Sequence, residues 1–216
     1  MVILDDAGQY EETAGEGWRL ISAHRRYQTL GEKRNAAARL ASPAAEVLCQ
    51  WDDDDLYLPW ALSASVAALG EADWSRPTRV LQHTPAGLLQ RQTWNRRDRR
   101  DRAFPGGWAL RRKAFWSVGG YPKTSTNEDL LMARRLQAAR VRQADPLAFG
   151  FRPFYIWAPH DNTHLSSEPV STGYASWGER KGPPACVQPT DPPGIDLDSP
   201  VILSHVRRRF FGGDWS

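Results

Sequence analysis

The chain has 216 residues, 41% of them apolar and 25% charged, with a formal net charge of +3. That is the balance of an ordinary globular chain, long enough to bury a sizeable core in one domain or one domain with an appendage. The two cysteines, Cys49 and Cys186, exclude a disulfide framework and favour a reducing compartment. No run approaches the roughly 20 apolar residues that span a bilayer. The start, "MVILDD", lacks the basic-then-apolar pattern of a secretion signal. A cytoplasmic location is expected, with peripheral membrane contact left open. So small a net charge names no partner, because the placement of charge decides that.

In chain order, "VILDD" is a short apolar run ending in acids and reads as a buried strand emerging at Asp5. "GWRLISAH" reads as a second strand. "GEKRNAAARLAS" is alanine-rich and reads as a helix stopped by Ser42-Pro43. "EVLCQW" is a third strand, and "LPWALSASVAAL" a helix with Leu62, Val66 and Leu69 predicted on one apolar face. Strand and helix alternate, which predicts an α/β layered fold with a partly parallel sheet. Ligands in such sheets gather at the carboxyl ends of strands, where Asp5, Asp6 and Asp52 to Asp55 fall.

Further on, "RVLQH" and "LLQRQTW" read as strands. "GGWALRRKAFWSVGGY" reads as a strand, a short helix and a turn at Gly119 and Gly120. "NEDLLMARRLQAARV" reads as a helix, and "FGFRPFYIWAPHDNTHLSS" as an aromatic strand ending in a His- and Asn-bearing loop. Residues 178–200 are rich in Pro and Gly. The expected organisation is a domain over residues 1–177 and a tail over residues 178–216 with a terminal apolar and basic segment.

"QWDDDDLYLP", residues 50–59, places four carboxylates in a row after an apolar strand. Hard oxygen ligands suit Mg²⁺ or Mn²⁺. In an extended D-x-D the alternate side chains point the same way, so Asp52 and Asp54 can reach one ligand. The competing reading is an exposed acidic loop, or Asp55 capping the helix that Pro59 helps to start.

The ordered blocks "ILDDAGQY", "GEKRNAAARLA", "EVLCQWDDDDLYLP", "VGGYP" and "NEDLLMARRL" resemble those of family-2 glycosyltransferases of the GT-A fold, over about residues 2–165. The resemblance implies a GT-A-like, mainly parallel mixed sheet flanked by helices. It implies transfer of a sugar from a nucleoside diphosphate donor to a hydroxyl acceptor (glycan, lipid or protein), with inversion. Asp5 and Asp6 would then contact base and ribose, with Arg34 and Asn35 near the nucleotide. Asp52 and Asp54 would bind ribose and Mn²⁺ or Mg²⁺, with Asp55 in support. Asp129 would be the base, with Glu128 beside it. His160 matches a residue near the diphosphate and would ligate the metal, the plainer alternative for it and His164 being a loop histidine bonded to backbone; Asn162 and His164 match less well. No nucleic-acid partner is expected under this reading.

Plainer readings compete at several positions. Asn127 is a good N-cap, and acids in a first helical turn suit the helix dipole without any chemistry. Arg34 would serve equally on a solvated helix face. The run "RQTWNRRDRRDR", residues 91–102, would bind phosphate backbones or simply pair with itself. Trp94, Trp108, Trp116 and Trp157 read mainly as packing residues, with one or two tryptophans left to stack on a sugar ring. Against the family pattern, the strand and helix that precede "VILDD" are missing. That strand would lie between residues 2–4 and 46–51, so the chain reads as N-terminally shortened, or as having "PVILSHV" (residues 200–206) fill the gap. The rival functions are a non-catalytic or degenerate sugar-nucleotide-binding module and a basic nucleic-acid-binding protein.

Overall fold

A computed structural model describes residues 1–53, 55–84, 87–93 and 104–157, all within one compact unit, Met1–Gly182; a second unit, Pro183–Ser216, lies outside them. The chain runs through β1 (Val2–Asp5), β2 (Thr13–Gly15), β3 (Trp18–Ser22), α1 (Leu30–Leu40), β4 (Val47–Cys49), β5 (Leu56–Tyr57) and α2 (Ala61–Leu69). It continues with β6 (Trp74–Ser75), β7 (Arg79–Thr84), β8 (Gly87–Gln92), β9 (Ala109–Arg111), α3 (Arg112–Ser117), α4 (Glu128–Ala138), β10 (Gln143–Ala144) and β11 (Tyr155–Trp157). Each strand and helix predicted above has its counterpart. The elements that the sequence pattern did not signal, β2, β5, β6 and β10, are two or three residues long, too short to carry a periodic signal.

The described strands form three sheets, ordered β1-β3-β2, β10-β6-β9-β4 and β5-β11-β7-β8. β1 with β3, β6 with β10 and β7 with β11 are parallel, while the other five pairings are antiparallel. The sheets are therefore mixed with antiparallel pairing in the majority, where a mainly parallel sheet was expected. β1 and β4 each end their own sheet, and no described strand joins them. Residues 200–206 lie outside the described residues.

The core lies where β6 and β9 meet α3 and α4. Trp74 and Trp108 cross edge to face at 5.0 Å, and Leu110, Phe115, Tyr121, Met132 and Leu136 pack with them, all 4% exposed or less. Each such side chain contributes about 1.5–3 kcal/mol by leaving water. On α2 the buried face differs from the predicted one. Leu69 is buried, but Leu62 and Val66 stand 51% and 48% exposed, and the inward positions are Ala61, Ala64, Ser65 and Ala68. Apolar and small residues are spread around this helix, so periodicity does not tell which face goes inward, and the buried face is the one made mostly of small residues.

α1 starts at a cap formed by Thr29, whose hydroxyl oxygen accepts from the Glu32 N–H at 3.2 Å. Its next turn is pressed against the loop that leads to α4. The Gly31 N–H donates to the Thr124 carbonyl at 3.1 Å, and any Cβ at Gly31 would overlap the Pro122 carbonyl. The Asn35 amide donates to the Tyr121 carbonyl at 2.8 Å and accepts from the Tyr121 N–H at 2.9 Å. Gly120, at φ +69°, leaves the room that the Asn35 oxygen occupies, and a Cβ there would overlap it. The helix and the loop thus behave as one piece.

Candidate active site

The acids at the end of β1 have distinct tasks. Asp5 accepts from the backbone N–H groups of Ala7 (2.8 Å), Gln9 (2.6 Å) and Tyr10 (3.0 Å) and from the Ser22 hydroxyl (3.2 Å). Its partial desolvation opposes ionisation, but these donors outweigh it and hold the carboxyl below its ordinary value. Asp5 therefore shapes the loop after the strand. Asp6 pairs with Lys33 of α1 at 2.6 Å.

Next to Lys33, Arg34 turns to the other side of the helix and joins two distant segments. It donates to Glu128 at 2.7 Å and to Asp52 at 3.1 Å, and its guanidinium lies 5.3 Å from the centroid of the Tyr121 ring. Its side chain is only 12% exposed, so the solvated-face reading does not describe it. Burial alone would ease its deprotonation, but Asp52, Glu128 and Asp129 more than offset that and hold it charged.

Asp52 Oδ1 accepts from Arg34 and, at 2.8 Å, from the Gln50 amide; Oδ2 takes no hydrogen bond among the described residues. The Asp52 N–H donates to the Tyr57 hydroxyl at 2.8 Å, and the Tyr155 hydroxyl donates to Asp55. Asp55 does not cap α2: the N-cap is Trp60, and no side chain bonds there. Asp54, His160, Asn162 and His164 lie outside the described residues, as does all of the arginine run beyond Thr93. Among the described residues no three His, Cys, Asp or Glu converge as a cation site.

Glu128 and Asp129 open α4. Asn127 stands at the N-cap position with φ +56°, but its side chain makes no capping bond, and Asp129 Oδ1 accepts from the Leu130 N–H at 2.6 Å. The capping role expected of Asn127 is thus not filled by its side chain. Left-handed backbone is tolerated by Asn and here turns the chain so that both acids enter the cluster. Glu128 is 6% exposed. Burial pushes it up to about 6, Arg34 opposes that, and Asp129 adds to it. Asp129 is raised by burial as well, again against Arg34. Arg34 pairs with Asp52 and Glu128 and leaves Asp129 without an ion pair among the described residues, so burial keeps Glu128 and Asp129 more ready to hold a proton than exposed acids are.

Lys33, Gln50, Tyr57, Tyr121 and Tyr155 were not singled out from the sequence. Only Lys33, adjacent to Arg34, carried a local signal; the tyrosines reach the cluster through strand pairing and loop packing. Of the tryptophans, Trp108 is buried at 1% exposure and Trp116 carries Arg39 at 5.1 Å, as packing residues do. Trp94 lies outside the described residues.

No family model and no curated protein matches the sequence. Solved structures do. TarS residues 1–349 of S. aureus in complex with UDP-GlcNAc superposes with a TM-score of 0.56 at 16% identity, covering 79% of this chain and 52% of that one. TarS with UDP and TarS alone each superpose with a TM-score of 0.52 at 14% identity, over 73% of this chain and 50% of theirs. The chain thus spans about half the length of these structures, and the likeness is one of fold. The mixed sheets with flanking helices, superposing on these structures, make a GT-A-like α/β fold.

Proposed function

We propose that this chain binds a nucleoside diphosphate sugar and transfers the sugar to a hydroxyl acceptor with inversion. The observation that carries the reading is the meeting on Arg34 of Asp52, which follows β4, and Glu128, which opens α4 with Asp129 next to it. The likeness of fold to a protein that binds UDP-GlcNAc supports it.

In this reading Asp129 takes the proton from the acceptor hydroxyl as it attacks. The acid has one oxygen held by the Leu130 N–H and no ion-pair partner among the described residues. Its raised proton affinity suits a base, since transfer is most effective when the affinities are matched. Glu128, tied to Arg34, is a positioning residue. Asp5 and Asp6 would contact the nucleoside beside Lys33, with Arg34 and Asn35 near it; Asn35 would act by holding the loop before α4 through the Tyr121 backbone. A divalent cation belongs to the proposal: Asp52 Oδ2 is available to a hard ion, with Asp54 and His160 as partners. When bound, Mn²⁺ or Mg²⁺ would offset the charge on the leaving diphosphate.

A second reading, a sugar-nucleotide-binding module without turnover, is favoured by the separate sheet edges at β1 and β4. Calorimetry with UDP and UDP-GlcNAc, with and without Mn²⁺, followed by assay of UDP release, distinguishes the two. Mn²⁺-dependent binding plus release that is lost in Asp129→Asn supports transfer. Binding without release supports the module. Absence of nucleotide binding rejects both.

A further inference from the structure

Two tryptophans are exposed among the described residues, Trp18 at 38% and Trp51 at 43%. Trp18 lies over Gly15 in the hairpin of the first sheet. Trp51 directly precedes Asp52. One face of its ring is stacked on Tyr57, with centroids 3.8 Å apart and planes 21° apart.

The support beneath that stack is built from several directions. The Tyr57 hydroxyl accepts from the Asp52 N–H, so one tyrosine holds both the indole and the backbone that follows it. Tyr57 is paired with Tyr155 across β5 and β11, and the two rings lie 5.3 Å apart. Tyr155 is 2% exposed and donates to Asp55. Gly106 lies against both tyrosines, and a Cβ there would overlap the Tyr57 hydroxyl and the Tyr155 ring. An indole free to fold down would bury itself. This one is stacked on Tyr57, stays 43% exposed, and is followed in the chain by Asp52, Asp53 and Asp55, of which Asp52 and Asp55 are tied to the same support through Tyr57 and Tyr155.

That combination suits a pyranose, which has an apolar C–H face and a rim of hydroxyl groups. The C–H face meets the indole, and the carboxylates accept from the hydroxyls. We propose that the exposed face of Trp51 is a platform for a sugar ring. The proposal deepens the glycosyltransferase reading, and the ring belongs either to the donor sugar or to a saccharide acceptor.

The test compares the wild-type chain with Trp51→Ala, Trp51→Phe and, as a control, Trp18→Ala, after near-UV circular dichroism has verified folding. One arm titrates UDP and UDP-GlcNAc by calorimetry. The other records saturation-transfer NMR on a panel of methyl pyranosides and disaccharides. If the donor sugar occupies the platform, Trp51→Ala weakens UDP-GlcNAc about three- to tenfold, the range for one stacked ring, and leaves UDP unchanged. If an acceptor occupies it, UDP-GlcNAc is unchanged and saturation of saccharide ring protons is lost in Trp51→Ala and retained in Trp51→Phe. Equal weakening of UDP and UDP-GlcNAc overturns the proposal in favour of a base-stacking residue. No change in either arm, or no binding of any probe by the wild type, also overturns it. Loss of nucleotide binding in the wild type alone counts against the transferase reading and leaves the saccharide arm to decide the platform.

Discussion

Arg34 donates to Glu128 across 94 residues of chain, at 2.7 Å, while its second nitrogen reaches Asp52 at 3.1 Å. One helical side chain thus ties the acids after β4 to the acids that open α4. Removing it leaves two carboxylates in a site with little water. Arg34→Met is expected to cost about 3 kcal/mol of stability, the penalty of breaking a buried pair from one side. Arg34→Lys should recover only part, because an ammonium lacks the fork that serves both acids. Urea denaturation at neutral pH measures both.

Glu128 sets a pH dependence. Its proton affinity is raised in the folded chain to about 6 from an ordinary 4.5. The folded state then binds more protons than the unfolded state between those values, so stability falls as pH rises from about 4.5 through about 6. The integrated change is roughly 2 kcal/mol. Glu128→Gln is expected to flatten that part of the stability curve, measured by urea midpoints at half-unit steps of pH. An unchanged slope in the variant would mean that another group carries the transition.

Asp129 and Glu128 are adjacent but differently held, so their substitutions should differ. Under the proposed transfer reaction, with Asp129 as base, Asp129→Asn is expected to lower sugar transfer about 100-fold or more and to retain nucleotide binding. Glu128→Gln keeps an acceptor for Arg34 and should lower turnover less. Steady-state assays of UDP release, paired with calorimetry, check the order.

The lock between α1 and the loop before α4 is tested by two small changes. Gly31→Ala drives a methyl group into the Pro122 carbonyl, and overpacking of this kind costs about 1–3 kcal/mol. Asn35→Ala leaves the Tyr121 N–H and carbonyl without their partner, about 1–3 kcal/mol again. Under the proposed function both should also reduce transfer, since the loop leads directly into Glu128 and Asp129 at the start of α4. Wild-type stability in either variant would count against the lock.

On α2, Leu62→Lys should change stability by no more than about 0.5 kcal/mol, as surface substitutions do. Leu69→Ala should cost about 2–5 kcal/mol, because it empties a buried position. Thermal or chemical denaturation of the pair tests which face of the helix is inward.

By itself the sequence determined the order of the longer strands and helices, though not β2, β5, β6 and β10, and the presence of acids at two strand ends. These follow from short-range physics: apolar runs at "VILDD" and "EVLCQW", an alanine-rich stretch closed by Ser42-Pro43, and Asp residues where apolar runs stop. Tertiary structure alone decided which of the acids share Arg34, that Asn35 is spent on the Tyr121 backbone, and that Leu69 rather than Leu62 faces inward. It also decided that Trp51, of the described tryptophans, stands exposed on Tyr57 next to Asp52. Partners 86 or 94 residues apart leave no periodic trace, because loop closure and packing bring them together only once the sheets have formed.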